Sequence, residues 1–291
     1  MKAAFLTDRG VVKVSGEDAR SFLDGLVTTN VTLVQPEHAR FGALLTPQGK
    51  IIADFLITEA SSGQGGGFLF DCPKALAQQL ADRLRFYKLR AKVSVENLSD
   101  TLGVLAAWDG EPSLKPDLTF SDPRHEKLGW RILVSEDLAG KAASAIGATL
   151  CDGSTYEAHR IACGVPRGGI DYIYGDAFPH ETNMDRLHGV DFDKGCYVGQ
   201  EVVSRMEHRA TARSRILPVT FDDAAPSRDA AIKSADRVVG SVLSSAGNAA
   251  LALIRLDRLA EAEQPLLTDG VRVHVHKPAW VNYDVPSKDY A

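Results

Sequence analysis

The four cysteines of this chain include no Cys-x-x-Cys pair, which excludes a preformed zinc or iron–sulfur cage of the usual spacing. No apolar run approaches the roughly 18–20 residues that cross a bilayer. Residues 1–9 lack the long apolar stretch of a signal peptide. These absences predict a cytoplasmic protein with free thiols and no membrane partner. There is no excess of positive charge either: the net charge of −5 argues against broad, sequence-independent nucleic-acid binding. No fixed-period repeat is present. What remains is ordinary globular composition. The 291 residues are 44% hydrophobic and 24% charged, enough for two or three compact units.

The pattern predicts an α+β first part. Residues 3–6 and 11–14 read as short strands turning at Asp8-Arg9-Gly10. Ser15 and Asp18 read as a capping-box variant that opens a helix carrying Phe22, Leu23 and Leu26, closed by Thr28-Thr29-Asn30. Thr46-Pro47-Gln48-Gly49 reads as a hairpin turn. Pro73, in a helix first turn, precedes a stripe of Leu76, Leu80 and Leu84. Residues 91–96 alternate like an edge strand. Residues 136–147 and 155–163 read as helices, the second stopped by Gly164. From about Ser214 short strands and turns take over, which predicts a separate small β-barrel or sandwich.

Function concentrates in residues 194–201, Lys-Gly-Cys-Tyr-Val-Gly-Gln-Glu. Residues 200–208 follow without a breaker, and Val202, Val203 and Met206 share a face at helical spacing. Cys196 is thereby expected just outside a helix N-terminus, where unpaired N–H groups favour a thiolate. Gly195 and Gly199 allow close approach of backbone to a ligand. Tyr197 adds a ring and a hydroxyl, and Gln200 and Glu201 add donors and acceptors. The plain alternative is a small buried cysteine in a loop, and that alternative is preferred for Cys72, Cys151 and Cys163.

Other candidates are weaker. Arg205, His208, Arg209, Arg213 and Arg215 fit either an acidic ligand or a solvated helix end. Arg83, Arg85, Lys88, Arg90 and Lys92 interleave with Phe86 and Tyr87, which an amphipathic helix end explains. His274 and His276 alternate on a strand but have no third ligand nearby, so no resident metal site is read. Asp54 interrupts the apolar run Ile51-Ile-Ala-Asp-Phe-Leu-Ile, so its carboxylate must be paired or face a polar cavity.

Together these residues resemble the YgfZ family of folate-binding proteins, relatives of the aminomethyltransferase (T-protein) of glycine cleavage. The octapeptide matches that family's signature. Matching in order are Ser15-Gly-Glu-Asp-Ala19, Thr28-Thr-Asn30, Pro47-Gln-Gly-Lys50, Tyr87-Lys-Leu-Arg-Ala-Lys-Val93, Gly164-Val-Pro166, Pro179-His-Glu-Thr-Asn183 and Val239-Gly-Ser-Val-Leu243. The run 164–219 is most similar to the family's mitochondrial branch, whose members assist late assembly of [4Fe–4S] proteins.

The resemblance implies a T-protein-like cloverleaf. A folate-binding part would span residues 1–213, with a ferredoxin-like subdomain at about 45–135, and a β-barrel would span 214–291. It implies tetrahydrofolate or another reduced folate as cofactor, held by Asn30, Asp54, Arg90 and Asn183. Lys194, Gly195, Tyr197, Gly199, Gln200, Glu201 and Arg205 would complete that site. The resemblance further implies iron–sulfur assembly proteins and apo-enzymes as partners, and a tRNA-modification role has been attached to the family. Two positions depart from T-protein: Ala53-Asp54 stands where it has two acids, and Ala162 where it has a folate-contacting Glu. T-protein in turn lacks the cysteine. The expected function is therefore a folate-binding accessory factor for assembly or repair of [4Fe–4S] proteins. Cys196 would be its thiol and a transient cluster ligand, since a thiolate is a soft ligand for iron. The alternative is a tetrahydrofolate-dependent one-carbon transferase with Asp54 as the acid–base group. A third reading is an adaptor acting through the 205–215 basic face.

Overall fold

A computed structural model of the chain describes residues 1–209 and 212–286. The last five residues of the expected barrel domain, 287–291, lie outside the described residues. The first half runs β1 (Lys2–Phe5), β2 (Arg9–Ser15), α1 (Ala19–Asp24), β3 (Arg40–Leu45), β4 (Ile51–Glu59), β5 (Phe68–Pro73), α2 (Lys74–Tyr87) and β6 (Ser94–Asn97). It continues with β7 (Gly103–Trp108), β8 (Thr119–Ser121), β9 (Trp130–Val134), α3 (Ala139–Ala145), β10 (Thr149–Leu150) and α4 (Gly153–Ala162). After a long irregular segment come α5 (Gln200–His208) and β11 (Ser214–Phe221), β12 (Ala231–Ser234), β13 (Arg237–Ala246) and β14 (Ala249–Arg255). The described chain ends with α6 (Leu256–Ala260), β15 (Leu266–Thr268) and β16 (Val271–Val275).

Two five-stranded sheets form, ordered β3-β4-β5-β2-β6 and β10-β1-β7-β9-β8. Strand alternation decides what each face meets. In the first sheet Val12, Phe55, Ile57, Phe70 and Cys72 pack with Leu80 and Leu84 of α2. The opposite face, with Val11, Leu56 and Leu69, joins Ala4, Val104 and Trp108 of the second sheet in one shared core. The second sheet's outer residues, Ala3, Leu105 and Ile132, pack on Ala139 and Ala143 of α3. Both sheets are thus covered on two sides, which explains why β4 is buried along nearly its whole length. Asp54 shares parity with Leu56 and faces the interior between the sheets.

The tail is a closed barrel, β11-β14-β13-β12-β15-β16, sealed where β16 pairs with β11. Closure leaves no free edge, and Leu217, Val219, Ile232, Val242 and Ile254 fill the interior.

Local departures have physical causes. Asp18 does not cap α1; its carboxylate accepts from the Lys92 backbone N–H at 2.8 Å instead. Pro73 pairs with Arg9 as the last residue of β5, so α2 starts one residue later. The helix expected over 136–147 splits into a 3₁₀ turn (Glu136–Leu138) and α3, and left-handed Gly147 follows. The edge strand expected over 91–96 is β6, at the border of its sheet.

Candidate functional site

The octapeptide ends the irregular segment and leads into α5. Its first residue is pinned from below. The Lys194 side chain is buried, and its Nζ donates to the carbonyls of Asp24 (2.6 Å), Val27 (2.8 Å) and Thr29 (2.9 Å). Three donors meet three acceptors in the turn after α1, and the Asp24 carboxylate lies 3.3 Å away. Burial lowers the Lys194 pKa, and Asp24 opposes that shift. Upstream, Asp191 Oδ1 accepts from the N–H groups of Asp193 and Lys194, and the Asp191 N–H donates to Thr28 O at 2.9 Å. The turn from Asp24 to Thr29 is therefore the seat of this loop.

The other end is pinned by glycine. Gly199 holds φ +82°, and a Cβ there would lie 2.5 Å from Thr46 O and 3.1 Å from Gly49 Cα. The close approach it permits is to the β3–β4 hairpin, not to a ligand. Tyr197 is buried with its ring 5.4 Å from the Lys194 ammonium, and its hydroxyl has no hydrogen-bond partner among the described residues. Between these anchors Gly195 has open space around it, and Cys196 is exposed. Gln200 is half-buried. Glu201 is exposed and pairs with Arg205 at 2.6 Å across one helical turn.

The remaining expected site residues lie apart. Asn30 caps a 3₁₀ turn by accepting from Thr32 N at 3.0 Å. Asn183, at φ +59°, donates to Ile216 O at 2.6 Å and accepts from the Tyr283 hydroxyl. Arg90 is exposed in the turn after α2. Arg215, grouped by sequence with the basic face, is buried on Asp185 at 2.6 Å. His274 pairs with Asp222 and His276 meets Thr220, so the two imidazoles serve separate contacts.

Asp54 accepts a hydrogen bond from the Tyr174 hydroxyl. Around it stand arginines that sequence reasoning missed because they come from distant segments. Arg9 pairs with Asp71 at 2.6 Å, while Arg124 and Arg131 share Asp122 at 2.7 and 3.1 Å. Arg160 holds Asp171 at 2.7 Å. The cavity that Asp54 lines measures about 20 Å³, room for about one water. That is far below the roughly 300–1,000 Å³ of sites for small organic ligands. Ala162, the other departure from T-protein, lines a separate groove of ≈ 350 Å³ against the barrel.

The cysteines differ sharply. Burial pushes the Cys72 thiol up to about 12, reinforced by Asp71 and Asp54 and opposed by Arg9. Burial likewise pushes Cys163 up to about 11. Of the four, Cys196 alone is exposed.

Residues 213–283 match the C-terminal β-barrel domain of CAF17. The chain is 33% identical to the mitochondrial iron–sulfur cluster assembly factor IBA57 homolog of Pyricularia oryzae, covering 89% of this chain and 73% of that protein. With human mitochondrial IBA57 it is 30% identical, over 92% of this chain and 81% of that one. The chain belongs to the IBA57 family. A homolog in Mycosarcoma maydis is 36% identical over 76% of this chain, which spans 57% of that protein's length. Aminomethyltransferase T of the glycine cleavage system from Bartonella henselae superposes with a TM-score of 0.75 over 96% of this chain and 86% of that one. At 16% identity that likeness shows the T-protein fold alone. These IBA57 relatives correct one expectation: they are named mitochondrial, which points to the mitochondrion and overturns the cytoplasmic reading.

Proposed function

We propose that this chain works in iron–sulfur cluster assembly and presents Cys196 as one thiolate ligand of a cluster shared with a partner protein. One observation carries the reading: among four cysteines a single thiol is exposed, and it sits on a loop pinned at both ends by Lys194 and Gly199. Thiolate sulfur is a soft ligand suited to iron. One cysteine leaves coordination positions open, so the other ligands come from an assembly protein or an apo-enzyme. The names of the IBA57 relatives support the same process.

Reduced folate has no step in this reading. The one-carbon transferase alternative, with Asp54 as its acid–base group, is set aside because no observation at Asp54 favours it over a structural role for the hydrogen bond from Tyr174. Saturable heat from tetrahydrofolate at micromolar concentration, lost in Asp54→Asn, would restore it. The direct test of the thiol is Cys196→Ala in cells lacking the natural copy. [4Fe–4S] enzyme activities should fall to the level of the deletion, and full activity in that strain sinks the proposal.

A further inference from the structure

A second cluster of polar side chains lies away from the thiol, where the irregular segment meets α5. His180 is 1% exposed, the Asp185 side chain is fully buried, and Glu207 of α5 is 27% exposed at its side chain. One ligand atom from each lies within 4.8 Å of the others. His180 Nε2 faces Glu207 Oε2 at 3.1 Å. Two arginines hold the outer oxygens. Arg215 Nη1 donates to Asp185 Oδ1 at 2.6 Å, and Arg186 Nη2 donates to Glu207 Oε1 at 3.0 Å. Each carboxylate therefore has one oxygen hydrogen-bonded to a guanidinium, as orienting groups behind a metal ligand do, while the second oxygen of Glu207 faces His180 and that of Asp185 lies 3.2 Å from Arg186 Nε.

The cluster is incomplete as an ion-pair network. Asp185 Oδ2, His180 Nδ1, Arg186 Nε and Arg215 Nε are all buried without a hydrogen-bond partner among the described residues. Arg186 Nε lies 3.2 Å from Asp185 Oδ2, yet the two make no hydrogen bond. Each such group costs about 1–3 kcal/mol when nothing satisfies it. A buried Asp185 oxygen without a hydrogen bond, within reach of His180 and Glu207, is what a bound cation would satisfy.

We propose that His180, Asp185 and Glu207 bind one hydrated divalent cation. The imidazole and two carboxylates supply hard-to-borderline donors, which suit Mn²⁺, Fe²⁺, Co²⁺ or Zn²⁺. Entry is from the Glu207 side, where Arg186, 22% exposed, can swing into solvent. The site uses no cysteine and stands or falls independently of the role given to Cys196.

Co²⁺ is the probe. The full chain, stripped with chelator and dialysed against micromolar Co²⁺, should retain one equivalent. It should show weak visible bands of oxygen and nitrogen coordination without a thiolate charge-transfer band. Glu207→Gln, at a partly exposed position, should weaken binding by about tenfold or more. Arg186→Gln removes the group that orients Glu207 and should weaken Co²⁺ binding several-fold, a change in metal affinity that a purely structural ion pair would not give. Added Co²⁺ should raise the unfolding temperature of the wild type, and that of Glu207→Gln by less. Absence of stoichiometric metal, a thiolate charge-transfer band, or equal affinity in wild type and Glu207→Gln overturns the proposal.

Discussion

Asp54 and Cys196 both interrupt their surroundings in sequence, one an acid in an apolar strand and the other a thiol between glycines, and they finish in opposite places. Asp54 faces the space between the sheets, where Tyr174 donates to it and arginines crowd the remaining volume. Cys196 stands in solvent on a loop whose flanks are tied down. The interior site is closed by its own partners, whereas the rim site is held open by partners on either side of it. A polar residue placed where the fold completes its hydrogen bonds reads as scaffold, and one placed where the fold stops short reads as available for chemistry.

Thiol chemistry should separate the two environments most strongly. In the native protein an alkylating reagent should modify Cys196 more than about a hundredfold faster than Cys72, whose burial suppresses the thiolate. Mass spectrometry of a time course reads the ratio, and comparable rates would place Cys196 in a covered state. Next in size is Lys194→Met. It leaves three buried carbonyls without their donor, and the expected loss is about 3 kcal/mol in denaturant unfolding. A loss under about 1 kcal/mol would mean that the turn after α1 holds itself. Gly199→Ala adds a Cβ 2.5 Å from Thr46 O on a left-handed backbone. It should be destabilised by about 1–3 kcal/mol, with most of any functional loss traced to a displaced loop.

Asp54→Asn should change less. It keeps an acceptor for Tyr174 and should cost about 1 kcal/mol in stability, with cluster assembly unchanged. A larger functional than structural loss would return Asp54 to the active machinery. Smallest is an acid effect from the same interior. Burial alone would raise the pKa of Asp122, but its ion pairs with Arg124 and Arg131 outweigh burial and hold it well below the usual carboxylate range. A depressed folded value means stability that is present above the unfolded carboxylate pKa of about 3.9 and is lost as pH falls below it. The melting temperature should drop through that window, and Asp122→Asn should flatten the drop while lowering stability at neutral pH.

Short-range chemistry was readable in advance. The Thr46–Gly49 turn closes as expected, with Gly49 N donating to Thr46 O at 2.8 Å. Leu80 and Leu84 face the core, and Gly164 takes the left-handed conformation that ends α4. The octapeptide drew attention through its composition, yet the role of its lysine did not follow from it. The three carbonyls that hold Lys194 belong to residues 24–29, brought close only by tertiary folding. The arginines around Asp54 and the His180–Asp185–Glu207 group escaped for the same reason. Each draws on distant segments, and charged residues scattered along a chain look like solvated surface until the sheets face one another.

The irregular stretch between α4 and α5 has a consequence for timing. Its loops bury side chains without the local hydrogen-bond ladder of a helix or sheet, and several anchors are on the barrel: Asn183 holds Ile216 O, and Arg215 holds the His180 carbonyl. The anchors of the Cys196 loop reach farther, since Lys194 spans 165–170 residues to the turn after α1, and closing so long a loop costs more entropy than the 33–35 residues to the barrel. Cys196 is therefore held in its fixed position only once the turn after α1 and the β3–β4 hairpin are in place. The thiol and its fixed setting therefore arise together, only when those distant segments of the chain have met.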